Sequence, residues 1–209
     1  MSDSPFDRLN PAVQYHVVNS LGWRSLRPTQ LAAIGPILEG RDALILAPTA
    51  GGKTEAAFIP VLSRMVSERS SGLTVLYVCP IKALLNNLEP RLSHYAGLVG
   101  RRVAVWHGDI SDSRKQEIRR DPPDVLLTTP ESLEGMLIST RTDRQALFGA
   151  LRTVIVDELH AFAGDDRGWH LRAVLDRVGR YVEVSPQRIG LSATVGNPET
   201  LLKWFSRTA

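Results

Sequence analysis

The chain contains one cysteine, Cys79, among its 209 residues. That excludes an internal disulfide and makes a reducing cytoplasm the expected setting. Cys79 ends the apolar run 74–79, where a free thiol ordinarily behaves as a small buried hydrophobe, so it is assigned no chemistry. No stretch approaches the ~20 consecutive apolar residues of a membrane span. The start, Met1 to Pro5, lacks the basic-then-apolar order of a signal peptide. A large excess of one charge is missing too: Lys and Arg exceed Asp and Glu by 25 − 22 = 3, which permits contact with a polyanion without requiring it. There is no internal repeat and no low-complexity tract.

What is present is the composition of a globular protein, 43% hydrophobic and 22% charged. The length is near the upper end of one domain at roughly 100–200 residues each. Six β-branched apolar runs, 42–47, 74–79, 102–106, 124–128, 153–157 and 188–192, have the form of buried strands. Segments with helical spacing lie between and after them, at 53–67, 82–98, 111–120, 131–138, 169–182 and 198–205. Two further helices are expected at 11–21 and 28–38, ahead of the first strand. Alternation of this kind implies an α/β fold, a parallel sheet with helices on both faces. Ligands of such sheets bind at the carboxyl ends of the strands, so the residues that follow the strands carry the functional reading.

The first strand is followed by APTAGGKT, Ala47 to Thr54, which opens a helix. Small residues at Thr49, Ala50, Gly51 and Gly52 let backbone N–H groups turn inward around phosphate oxygens. Lys53 reaches the β- and γ-phosphates, and the Thr54 hydroxyl holds Mg²⁺. The helix adds its positive dipole end. The first glycine of the general pattern is Ala47 here, and the context between strand and helix makes a ligand-free turn the weaker reading.

A phosphate loop alone would serve many nucleotide enzymes. The run 153–157 narrows the choice, because it ends in adjacent carboxylates, Asp157 and Glu158. At a strand end Asp157 can reach the Mg²⁺ shell while Glu158, as general base, addresses a water aligned on the γ-phosphate. A helix N-terminal acidic pair is the bland alternative, and the unbroken apolar strand before it disfavours that. Hydrolysis of ATP is the chemistry expected.

APTAGGKT, DELH (Asp157 to His160) and Ser192-Ala193-Thr194 resemble motifs I, II and III of superfamily 2 helicases of the DExH type. PIKAL, Pro80 to Leu84, resembles motif Ia and TTPESL, Thr128 to Leu133, motif Ib. With HAFAGDDRG, His160 to Gly168, their wording resembles Lhr-type, large helicase-related proteins. The resemblance runs from about Arg27 to Phe205 and implies a RecA-like domain over 27–209, preceded by a helical extension over 1–26. It also implies that a second RecA-like domain, bearing arginine fingers, lies outside these residues.

What the family adds residue by residue is a further expectation. Gln30, with Arg27 beside it, matches the glutamine that reads adenine, and its amide suits N6 and N7. Phe6 or Trp23 is the aromatic that would stack on the base. His160, Ser192 and Thr194 resemble residues that couple the nucleotide site to the strand path. Ala50 departs from the commoner family glycine, so the backbone there must tolerate a Cβ.

Pro80 and Lys82 open one helix, and Thr129, Pro130, Glu131 and Ser132 open another. Their free N–H groups suit the phosphates of single-stranded or partly duplex nucleic acid. Gly108, with Asp109, is a third candidate contact. His107, with no second ligand at metal spacing, reads as structural. Arg114, Lys115, Arg119 and Arg120 read as a solvated helix face. The Lhr-like wording tilts the partner toward DNA over RNA. Two rivals remain: a P-loop phosphotransferase or other ATPase without nucleic acid, and a non-catalytic binding module. The Ser-Ala-Thr triplet argues against the first, and an intact Glu158 against the second.

Overall fold

The computed structural model describes residues 4–48 and 50–206. Thr49, one of the phosphate-loop residues named above, lies outside the described residues. Six parallel strands form one sheet: β1 Ala43–Leu46, β2 Val75–Val78, β3 Val103–Trp106, β4 Val125–Thr128, β5 Thr153–Val156 and β6 Gln187–Ser192, in the order β1-β6-β5-β2-β4-β3. Period-two alternation divides each strand between two cores. Val75, Tyr77, Val125, Leu127, Ile155 and Ile189 belong to one core, and Leu76, Val78, Leu126, Val154 and Val156 to the other.

The first core is roofed by helices α2 Pro28–Leu38, α3 Lys53–Ser67 and α4 Lys82–Leu98. The second is covered by α5 Asp112–Arg120, α6 Pro130–Ile138, α7 Arg144–Phe148, α8 Asp166–Val178 and α9 Pro198–Phe205. A third, small core joins Leu9, Val13 and Val17 to Ile34 and Ile59, which docks the N-terminal elements on α2 and α3. The expected sheet with helices on both faces is therefore the architecture observed.

Several boundaries differ from the sequence reading. The runs expected to begin at Asp42 and Asp124 enter the ladder one residue later. Both aspartates cap the neighbouring chain with their side chains: Asp42 Oδ1 accepts from the N–H of Arg188 at 2.9 Å, and Asp124 Oδ2 from that of Arg102 at 2.8 Å. The helix expected over 169–182 begins at Asp166, because Asp165 Oδ1 caps the N–H groups of Arg167 and Gly168, and ends before Gly179. The helix expected over 11–21 is α1 Pro11–Tyr15 followed by a π-helical turn, His16–Ser20. Helix α7 and the 3-10 turns Pro5–Arg8 and Leu159–Phe162 are too short to leave a periodic signal. Among the described residues, no helix is long and apolar enough to cross a membrane.

Candidate functional site

The turn from β1 into α3 bends sharply and has little room. Gly52 sits at φ +77°, and a Cβ there would approach Gln30 Nε2 to 2.8 Å. A Cβ on Gly51 would lie 2.7 Å from Ala47 Cβ and 2.8 Å from the Pro48 carbonyl. Both positions therefore need glycine. Ala50 adopts φ +62° with a side chain, a left-handed conformation costing roughly 1–3 kcal/mol that the surrounding structure must impose. The tolerance for a Cβ that the sequence demanded is met by exposure: Ala50 faces solvent.

Lys53, the first residue of α3, is 8% exposed, and its Nζ donates to the carbonyls of Ala47 at 2.8 Å and Pro48 at 3.2 Å. The ammonium is thus held across the mouth of its own loop. Arg27 and Gln30 brace that loop from α2. Arg27 Nη1 donates to the Ala50 carbonyl, and Gln30 Oε1 accepts from the Arg27 N–H at 2.9 Å, closing the N-terminus of α2.

The carboxylates after β5 stand opposite. Asp157 is 7% exposed. Its Oδ2 accepts from the Tyr77 phenol at 2.9 Å and its Oδ1 from the Glu158 N–H at 2.9 Å. Burial raises the Asp157 carboxyl above its ordinary value, and the Tyr77 bond works against that shift. Thr54 stands close enough to the same phenol to pull against the upward shift of its pKa, so one buried ring lies beside both residues expected to hold Mg²⁺. Burial and the neighbouring Asp157 push the phenol well above its usual range, which keeps it a donor. Sequence reasoning missed Tyr77. The one signal was a lone hydroxyl on the Lys53 side of an otherwise apolar strand.

Glu158 follows at φ +47°, another left-handed non-glycine residue, and this turn separates its carboxylate from that of Asp157. Its Oε2 lies 3.4 Å from His160 Nδ1. The same nitrogen is 3.1 Å from Ser192 Oγ and accepts the Ala193 N–H at 3.3 Å. His160 and Ser192 are therefore brought together beside Glu158. Thr194 is exposed and takes no part in that contact.

Arg27, Gln30, the phosphate turn from Ala50 to Thr54, Asp157 and Glu158 line a cavity of about 650 Å³ together with Trp23, Ser25, Asn87 and Arg91, whereas His160, Ser192 and Thr194 lie outside its lining. Both aromatics considered, Phe6 and Trp23, pack against the third core, but of the two Trp23 alone lines this cavity. Glu55 is a further acidic wall residue, held by Tyr95 Oη at 3.2 Å and paired with Arg91 at 3.4 Å. Burial and Glu55 push the Tyr95 phenol up to about 12. Cys79 is buried, as expected of a strand residue in an apolar run, and desolvation raises its thiol well above the usual range.

A second, more open cavity of about 1040 Å³ lies further along the carboxyl edge of the sheet, at the starts of α4 and α6 and behind β3. Pro80, Lys82, Gly108, Thr129, Glu131 and Ser132 line it. Pro130 is buried at the first position of α6, where it fixes the helix start. Thr129 caps that helix, its Oγ1 accepting from the Ser132 N–H at 3.3 Å. Lys82 Nζ pairs with both Asp109 oxygens at 2.8 and 2.9 Å, which lowers the Asp109 carboxyl below its usual value. His107 is buried and accepts the Asp109 N–H at 3.2 Å, a loop-shaping role in line with its structural reading.

One expectation is corrected here. The basic residues of α5 do not form a single solvated face. Lys115 and Arg119, four apart, share the side of α5 turned to this cavity, and Arg119 lies 4.9 Å above the Trp106 ring. Arg114 and Arg120 remain exposed. The i, i+4 spacing of 115 and 119 was the available signal.

Comparison with known proteins agrees with this geometry. The family model for DEAD/DEAH box helicases matches residues 27–201. The Lhr helicase/probable uracil glycosylase of Mycolicibacterium smegmatis is 41% identical over 197 residues, covering 87% of this chain and 13% of its own length. The ATP-dependent helicase Lhr-Core of Methanocaldococcus jannaschii is 36% identical over 190 residues, covering 83% of this chain and 22% of its own length. Among solved structures, Mycobacterium smegmatis helicase Lhr bound to ssDNA and AMP-PNP superimposes with a TM-score of 0.86 at 36% identity, over 99% of this chain and 28% of that one. The chain thus spans less than a quarter of the length of these two curated relatives.

Proposed function

Because the chain belongs to the DEAD/DEAH box helicase family, we propose that it is the ATP-binding half of a motor that couples ATP hydrolysis to movement along a nucleic-acid strand. The single observation that carries this reading is the union, at one sheet edge, of a lysine-bearing phosphate turn and an Asp-Glu pair facing a common cavity. Lys53 would leave the Ala47 and Pro48 carbonyls for the β- and γ-phosphates. The backbone N–H groups from Ala50 to Thr54 would bind the phosphate oxygens, with Thr49 contributing as the pattern expects. Glu158 would take the proton of the attacking water.

Thr54 and Asp157 are the residues that would hold Mg²⁺. Two oxygen donors, one of them a carboxylate, suit an ion that keeps several waters and shares its shell with phosphates. The Tyr77 bond to Asp157, with Thr54 beside the same phenol, supports this assignment, because it fixes the carboxylate next to the hydroxyl. Bound there, Mg²⁺ supplies neutralisation of charge developing on the β- and γ-oxygens. Gln30 reads the adenine edge in this proposal with Arg27 alongside, and Trp23 is favoured over Phe6 for stacking because it lines the cavity.

The groove over α4 and α6 is the proposed strand site. Helix N-termini, Lys82 and the Lys115–Arg119 pair favour backbone phosphates over base edges. His160, Ser192 and Thr194 are the proposed link between the two sites. Single-stranded DNA is favoured over RNA, with support from one relative, the ATP-dependent DNA helicase Hel308 of Pyrococcus horikoshii, and from the ssDNA-bound Lhr structure. The division into a 1–26 extension and a 27–209 motor domain belongs to the same proposal, as do a second RecA-like domain in the full protein and a cytoplasmic setting. The family match from residue 27 supports the boundary. A P-loop ATPase that ignores nucleic acid, or a non-catalytic binding module, is the alternative. The test is ATP turnover by the full protein with and without a single strand, beside Glu158→Gln. Turnover raised by the strand and abolished by the substitution is expected; turnover indifferent to both would sink the motor reading.

A further inference from the structure

HAFAGDDRG, the stretch after the acidic pair, holds a side chain that reaches from the turn behind Glu158 to the helix starts of the strand groove. Beyond Glu158 the chain makes the 3-10 turn Leu159–Phe162 and enters α8 through the Asp165 cap. This passage has no slack: a Cβ on Gly168 would fall 2.0 Å from the Phe162 carbonyl oxygen, so the two segments are in backbone contact. Arg167 projects from the start of α8. Its guanidinium lies 5.4 Å above the Phe162 ring, donates from Nη2 to the Pro80 carbonyl at 2.6 Å and sits 3.9 Å from Glu131 Oε1.

Pro80 is the last residue before the Ile81 N-cap of α4, and Glu131 is in the first turn of α6. Both line the strand groove. One planar cation thus reaches both helix starts of the groove, while Gly168, the residue after it, is packed against Phe162 of the turn that follows Glu158 and contains His160. Arginine suits this post: its rigid fork holds a carbonyl and a carboxylate together and stacks on a ring, which a lysine ammonium cannot do. A phosphate arriving at the α6 N-terminus repels the Glu131 carboxylate and attracts the guanidinium, so strand binding alters the contacts Arg167 makes.

We propose that Arg167 is a positioning residue through which occupancy of the groove is transmitted to the Asp157–His160 segment. The inference rests on the motor reading of the two cavities. Its test uses the full protein and a fluorescent oligothymidylate, whose affinity is measured with and without AMP-PNP and Mg²⁺. Coupling between two sites ordinarily changes an affinity on the order of 5–150-fold. Wild-type protein should show such a ratio, Arg167→Ala should bring it to nearly one, and Arg167→Lys should fall between them. A merely structural role would weaken binding equally in both nucleotide states and leave the ratio intact. An unchanged ratio in Arg167→Ala overturns the inference; should that variant fail to fold, an unchanged ratio in Arg167→Lys does so. Wild-type protein that binds neither oligonucleotide nor AMP-PNP overturns the motor reading and this inference with it.

Discussion

In the nucleotide cavity, Lys53, Gln30 and Asp157 are all at least nine-tenths buried, and hydrogen bonds hold each in place. In the strand groove the corresponding side chains are open to solvent even where they are paired: Lys82, bonded to Asp109, is 48% exposed, and Glu131, beside Arg167, 59%. The difference follows from the work proposed for each. Placing a water and a phosphate for in-line attack requires groups fixed before the substrate arrives. Holding a sugar–phosphate backbone of any sequence needs only helix ends and flexible charge, and the grip should fade with salt. A rigid pocket and a compliant groove therefore share one sheet edge.

That contrast can be broken most severely at Glu158. Glu158→Gln is expected to lower ATP turnover by about 10²–10⁴-fold, with nucleotide binding retained; steady-state turnover beside equilibrium ATP binding would check it. Tyr77→Phe should come next, because it removes a buried hydrogen bond to a carboxylate, worth about 1.5–3 kcal/mol. The expected signature is a higher Mg²⁺ concentration for half-maximal turnover together with a lower melting temperature. If the Mg²⁺ requirement stays put, Tyr77 does not organise the donors. Gly168→Ala lies between the two sites and probes packing alone. Its clash should cost about 1–3 kcal/mol, or about 2–4 °C in Tm per kcal/mol for a domain of this size, read by thermal unfolding. The smallest effect belongs to the groove: Lys82→Ala should weaken single-strand binding and reduce the slope of log affinity against log salt by about one, leaving ATP binding unaltered. An unchanged slope would remove Lys82 from the phosphate contacts.

The same contrast accounts for what the sequence made legible. Runs such as 153–157 announced strands because both faces of the sheet are covered, and their residues are apolar without interruption. The phosphate turn and the acidic pair were readable because their chemistry restricts residue type at adjacent positions. Tyr77 was hidden because a phenol suits an apolar strand as well as it suits a hydrogen bond. Its partner Asp157 is 80 residues away. Arg167 was hidden for a similar reason, since its contact with Pro80 spans 87 residues. Lys115 and Arg119 looked solvated because a charge run carries no label for the side of the helix that meets a cavity. Short spacing in sequence was read well; long reach across the sheet was not.

The most direct measurement of this division is ATP turnover by the full protein, titrated with single-stranded nucleic acid at low and moderate salt. Turnover should rise to a plateau, with the strand concentration at half-effect moving upward as salt is raised. The plateau and the KM for ATP should hold steady, because the buried pocket is screened far less than the exposed groove. Turnover independent of the strand, or a KM for ATP that moves with salt as steeply as the strand midpoint, would contradict this division.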